Sequence, residues 1–244
     1  MSGHSKWATI KRKKSATDAK RGKIFTKLIK ELMIAARDGG GDSGSNPRLR
    51  QAIATAKAAN MPNDNINRAI QKGTGELAGV TYNEFTYEGY GPGGVALFME
   101  VLTDNKKRTV AEIRHLMNKY GGNLGENGSV AWMFEKMGQI TVTANGYDED
   151  TVFEEALEAG ADDFSSTDGE FLITTSPSET VNVSDALISK GYKVTSSAVE
   201  MVPKNTMKVE GDDVKRLITL VEALEENEDI QNLYSNLDVD EKDL

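Results

Sequence analysis

Apolar residues recur at helical spacing through the first third of the chain. Ile24, Phe25, Leu28, Ile29, Leu32 and Met33 form one stripe, which predicts a helix opened by Thr17 or Asp18, running to about Arg37 and ended by Gly39-Gly40-Gly41. Leu49, Ile53 and Ala56 predict a second helix with Pro47 in its first turn, where a missing N–H costs nothing. Pro62 ends it. Asn63 or Asp64 caps a short third helix carrying Ile66, Ala69 and Ile70, and Gly73 stops it. From residue 84 the pattern changes to alternation. Glu84–Tyr90 and Val95–Thr103 read as strands of a hairpin around Gly91-Pro92-Gly93-Gly94, followed by a helix over Lys106–Tyr120. Val130, Trp132 and Phe134 alternate like a further strand.

Residues 138–203 read as a βαββαβ unit. Its strands are Gln139–Thr143, Asp162–Ser166, Glu170–Thr175 and Lys193–Met201, and its helices are Asp148–Ala159 and Ser178–Lys190. Gly160 and Gly191 fall at helix C-caps, and Asp168-Gly169 is a hairpin turn. Two β-α-β crossovers folded together give a ferredoxin-like sandwich. Met207–Val209, Asp212–Glu225 and Asn232–Tyr234 add strand, helix and strand. Three such elements are too few for a domain, so they are expected to complete the sheet begun upstream. The fold class is therefore α+β. A basic arm plus helical domain occupies 1–78, a middle α/β domain 79–137 and 204–244, and an inserted ferredoxin-like domain 138–203.

Charge sharpens the picture. The net charge of −9 conceals a segregation: residues 1–75 hold 16 Lys and Arg against 5 Asp and Glu, a balance of +11, while the remainder holds 13 against 33, a balance of −20. A basic segment on an acidic protein suits a polyanion. The arm carries Lys6, Lys11, Arg12, Lys13 and Lys14 with little to bury, and reads as disordered when free. Its cations can neutralise phosphates and release counterions. Trp7 can stack on an unpaired base or ribose, or fold back onto the helical domain, and His4 can donate to a phosphate. Lys20, Lys23, Lys27 and Lys30 share the polar face of the first helix and extend this surface as a solvated cationic face; Arg48, Arg50 and Lys57 on the second helix are read as available to solvent. Lys106, Lys107 and Arg108 crowd the first turn of a helix capped by Asp104 or Asn105. Cations there oppose the helix dipole, so either a bound phosphate or tolerated surface charge explains them.

Other classes find less support. Cysteine is absent, which removes disulfides and thiolate chemistry and fits a cytoplasmic location. No apolar run suggests a membrane span, and the start has no secretory h-region. Gly89–Gly94 lacks the Gly-Lys-Ser/Thr ending of a nucleotide loop and reads as a hairpin whose Tyr90 is exposed at the tip. Glu154, Glu155, Glu158, Asp162 and Asp163 imitate a metal site without His or Cys nearby and read as solvated helix charges. The two histidines, His4 and His115, pair with no nucleophile, so neither an enzyme, a cofactor nor a metal is expected. No recognition-helix signature stands out.

Five motifs bear on family. Gly3-His4-Ser5-Lys6-Trp7 with Ile10-Lys11-Arg12-Lys13-Lys14, Asn60-Met61-Pro62-Asn63-Asp64-Asn65-Ile66, Tyr87–Val95, Thr103–Thr109, and Gly121-Gly122 through to Phe134 together resemble the YebC/PmpR family over nearly the whole length. The resemblance implies a helical domain followed by two α/β domains. Bacterial members are described as probable transcriptional regulatory proteins, mitochondrial relatives as translational activators, and some bacterial members as ribosome-associated factors that help translation through proline-rich stretches. It implies a non-enzymatic regulator of gene expression whose partner is DNA, or alternatively ribosomal RNA, together with transcription machinery or the ribosome. The start lacks an Arg-rich transit peptide, which fits a bacterial member.

Overall fold

The computed structural model describes residues 18–144, 146–167 and 169–238. Three helices come first: α1 (Asp18–Gly39), α2 (Pro47–Ala58) and α3 (Asn63–Thr74). Leu32, Met33, Ala35 and Ala36 of α1 meet Leu49, Ala52 and Ala56 of α2 and Ile66 and Ala69 of α3 in one apolar cluster. Asn46 fixes the entry to α2: its side chain accepts from the Leu49 N–H at 3.0 Å and donates to the carbonyls of Ala35 and Gly40. Two expectations for α3 change. The cap position is Pro62, without a side-chain cap, and the helix runs through Gly73 to end at Gly75, whose φ is +83°. Gly73 allows a close approach instead: a Cβ there would collide with the Met33 carbonyl oxygen and lie 2.9 Å from the Ala36 Cβ. The backbones of α1 and α3 therefore touch, and α3 cannot roll.

Strands β1 (Asn83–Tyr90) and β2 (Ala96–Thr103) form the expected hairpin, with a short 3-10 turn at Pro92–Gly94. Helix α4 (Lys106–Lys119) and strand β3 (Asn123–Leu124) follow. The chain then leaves this unit and returns as β8 (Met207–Lys208), α7 (Asp212–Glu225), β9 (Ile230–Ser235) and β10 (Leu237–Asp238). The sheet order is β3-β1-β2-β9, with β9 antiparallel to β2, whereas β8 pairs in parallel with β10 outside that sheet. Leu97, Met99 and Val101 of β2 pack under Ile113 and Met117 of α4 and Leu217, Leu220 and Leu224 of α7. Helices α1–α4 and α7 and these strands belong to one compact unit, covering described residues 18–131 and 207–238.

Residues 132–206 form the second compact unit. Its elements are β4 (Phe134–Thr143), α5 (Glu149–Glu158), β5 (Asp163–Thr167), β6 (Glu170–Thr175), α6 (Thr180–Ser189) and β7 (Val194–Pro203). The order β5-β6-β4-β7, antiparallel at each pairing, is the ferredoxin-like arrangement. Ile140, Val142, Phe171 and Ile173 of the sheet meet Val152, Ala156, Val183 and Leu187 of the two helices. The alternation of Val130, Trp132 and Phe134 is only partly a strand. Val130 and Phe134 are buried and Trp132 is 64% exposed, yet the backbone at Ala131–Met133 is a 3-10 turn, and β4 starts at Phe134.

Candidate nucleic-acid interface

The arm residues His4, Lys6, Trp7, Lys11, Arg12, Lys13 and Lys14 lie outside the described residues. Lys20 lies on α1, although its side chain is outside them too. The rest of the lysine face does not behave as a solvated surface. Lys30 is 4% exposed. Its ammonium donates to Asp229 Oδ1 at 2.6 Å, to the Glu228 carbonyl at 2.9 Å and to the Leu102 carbonyl at 3.4 Å. Lys27 donates to the Glu225 carbonyl at 2.8 Å, and Lys23 reaches Glu226 at 3.5 Å. The reason is the end of α7. A helix C-terminus leaves carbonyls without intrahelical donors and carries the negative end of the dipole, so Lys27 and Lys23 complete it, while Lys30 meets the segment that follows it. Arg48 is likewise engaged, by Glu31 at 2.7 Å and Glu84 at 2.6 Å, and Arg50 by the carbonyls of Ser43 and Gly44.

Asp229 is the node of this arrangement. Besides Lys30 it accepts from Thr109 Oγ1 at 2.6 Å, Arg108 Nη2 at 2.8 Å and Thr103 Oγ1 at 3.3 Å. Burial pushes its carboxyl up, but the hydrogen bonds from Lys30, Thr109 and Arg108 outweigh this and hold it down at about 2. The first turn of α4 is thereby explained without an outside ligand. Asn105 is the cap, accepting from the Arg108 N–H at 3.1 Å. The Arg108 guanidinium also reaches Asp104 at 3.0 Å. Lys106 sits 4.6 Å from the centre of the Phe85 ring, and Lys107 is exposed. The triplet is thus divided among three environments. The open cleft beside Arg108 is lined by Asp104, Glu112, Glu226, Glu228 and Asp229 against Lys23, Lys30 and Arg108, an excess of carboxylates that repels a polyanion.

The glycine loop is a packed hairpin. A Cβ on Gly91 would lie 2.6 Å from Leu217 Cδ1, and Tyr90, expected at an exposed tip, is half-buried with its hydroxyl donating to the Ser129 carbonyl at 2.9 Å. Glu88 was not legible as special. Its buried carboxylate accepts the N–H groups of Gly128, Val130 and Ala131, each at 2.7 Å. Burial pushes this carboxyl up, and the three N–H groups more than offset that, leaving it below the ordinary range. In the ferredoxin-like unit Glu155 pairs with Lys190 at 3.4 Å and, by a hydrogen bond, pushes the Tyr192 hydroxyl up to about 12. Among the described residues no three His, Cys, Asp or Glu side chains are grouped to hold a metal ion. No helix among them is long and apolar enough to cross a membrane.

Comparison with known proteins covers most of the chain. Residues 5–76 match the TACO1/YebC protein N-terminal domain, and residues 82–237 match the TACO1/YebC second and third domain. A protein of Syntrophus aciditrophicus named "Probable transcriptional regulatory protein" is 56% identical over 98% of this chain and 96% of its own length. One of Pelotomaculum thermopropionicum with the same name is 55% identical over 99% of this chain and 100% of its own. The crystal structure of a conserved hypothetical protein from Aquifex aeolicus superposes with a TM-score of 0.88 at 43% identity, covering 97% of this chain and 98% of that one.

Proposed function

Because the chain belongs to the TACO1/YebC family, we propose that it is a non-enzymatic regulator of transcription that binds DNA through its basic N-terminal segment. The observation that carries this reading is the charge segregation: 16 Lys and Arg against 5 Asp and Glu in residues 1–75, on a chain whose net charge is −9. The names of relatives sharing more than half of its residues support a regulatory role in transcription. Lys23, Lys27, Lys30, Arg48 and Arg50 are occupied internally, so the burden of phosphate binding falls on Lys6, Lys11, Arg12, Lys13 and Lys14, with Lys20 and Lys107 as further candidates. Trp7 completes the interface by stacking on a sugar or an unpaired base, and His4 by donation to a phosphate. Counterion release from duplex DNA supplies the affinity.

Fluorescence anisotropy with labelled duplex DNA and with a labelled RNA hairpin tests the reading. Salt-sensitive binding to duplex at least as tight as to the hairpin is the expected result. Strong preference for the hairpin, accompanied by sedimentation with ribosomes that ribonuclease abolishes, would transfer the protein to translation. Absence of binding to both would remove the reading altogether.

A further inference from the structure

Helix α3 presents a face whose polar side-chain ends the fold does not use, although the stem of Lys72 lies against Gly79. Ile66 and Ala69 are buried against α1 and α2, and Gly73 locks the helix by its close approach to Met33 and Ala36. That fixes what points outward. Asp64, Asn67, Arg68, Gln71 and Lys72 fall at i, i+3, i+4, i+7 and i+8, and all five are exposed. The side chains of Asn67, Arg68, Gln71 and Lys72 make no hydrogen bond or ion pair with any described residue. This sets them apart from Lys23, Lys27, Lys30, Arg37, Arg48 and Arg50, which are all held by internal acceptors.

The composition of the stripe is not what folding would select. Asn is a poor helix former, yet Asn67 stands within this stripe. A face kept only for solubility would do better with Glu, Lys or Ala. The stripe also lacks any apolar residue, which an interface core with another protein requires. What it offers is amides that donate and accept at once, a planar guanidinium and an ammonium, with Asp64 as its one carboxylate. These are the groups that read base edges: Asn and Gln pair with adenine, and Arg and Lys with guanine. The setting agrees. α2 and α3 are joined by the four residues Ala59–Pro62, turned by Asn60 at φ +59°, a connection of the length that helix-turn-helix pairs use.

We propose that the outward stripe of α3 reads base pairs in the major groove of duplex DNA, with Asn67, Arg68 and Gln71 on base edges and Lys72 on a flanking phosphate or guanine. An A-form RNA helix is a worse partner, since its major groove is too deep and narrow for side chains to read. The inference rests on the DNA-binding reading above and adds a source of sequence preference that arm cations cannot supply.

The test is selection of a preferred sequence from randomised duplex DNA by the full-length protein, followed by affinity for that duplex and for a scrambled one. The wild type should prefer the selected duplex. N67A/Q71A removes no charge and raises helix propensity, so it should keep its fold, its affinity for scrambled duplex and its salt dependence. It should lose discrimination by roughly 10-fold or more, the scale of one good bidentate pairing. R68K should lose discrimination at guanine positions while keeping charge. Unaltered discrimination in both variants would overturn the proposal. So would salt-sensitive wild-type binding without sequence preference, which would leave the arm reading intact. Absence of any duplex binding by the wild type would instead defeat both.

Discussion

Replacing Lys30 by Met should destabilise the first unit severely. The ammonium lies 2.6 Å from Asp229 Oδ1, and the two side chains are 5% and 7% exposed. Removing one partner of a buried pair typically costs about 3–5 kcal/mol, because the remaining charge stays desolvated. Here Arg108, Thr109 and Thr103 still donate to Asp229, so the expected loss lies nearer about 3 kcal/mol. The pH dependence gives a second reading. Asp229 is held at about 2 in the fold, against an ordinary aspartate value of about 3.9 when unfolded. A depressed carboxyl stabilises above its unfolded value and loses that contribution as pH falls through its folded value. The shift corresponds to roughly 2–3 kcal/mol at pH 7, of which about half is gone at pH 3. Asp229→Asn does not titrate in this window, so the stability gap between wild type and this variant should narrow by about 1 kcal/mol between pH 7 and pH 3. Urea unfolding of wild type, K30M and D229N at both pH values measures all of this. A K30M loss below about 0.5 kcal/mol at pH 7, the scale of an exposed pair, or a gap that does not narrow, would refute the assignment.

Glu88→Gln sets an amide N–H2 against at least one of the Gly128, Val130 and Ala131 N–H groups, so it should cost about 1–3 kcal/mol. Hydrogen exchange at those three amides should accelerate; unchanged exchange would show that the loop holds itself. Gly73→Ala should lower the melting temperature, because overpacking against Met33 costs about 1–3 kcal/mol and outweighs the gain of about 1 kcal/mol in helix propensity. A higher melting temperature would contradict the close approach of α1 and α3. Trp7→Ala removes no charge. If the indole stacks on bases, the variant should bind more weakly with an unchanged salt slope, and an unaltered affinity would return Trp7 to a packing role.

The elements were largely legible because each carries a local signal. Pro47 marks the start of α2, Gly160 and Gly191 stand just past helix ends, and the alternation in Glu84–Thr103 matches the register of Tyr87 with Met99. The failures share a cause. Gly73 looks like a helix stop because the sequence does not say that another backbone lies against it. Lys30 looks solvated because helical spacing shows that it leaves the apolar stripe, and nothing nearby in sequence announces the segment after α7, which brings Glu228 and Asp229 to it. Arg108 looks frustrated by the helix dipole until Asp229 reaches it from the same distant segment. Glu88 falls in an alternating strand, where a carboxylate is ordinarily a solvent-facing choice. The α3 stripe is different. Its spacing was present in the residues, but its meaning depends on the freedom of Asn67, Arg68, Gln71 and Lys72 from internal partners, which only the fold reveals.

Whether the basic N-terminal segment binds a nucleic acid is decided by changing Lys11, Arg12, Lys13 and Lys14 together to Gln and measuring duplex affinity across a salt series. Binding should weaken, and the plot of log affinity against log salt should be flatter by about 0.9 for each phosphate no longer neutralised, with the melting temperature unchanged. Unchanged affinity together with an unchanged slope would contradict binding by this segment.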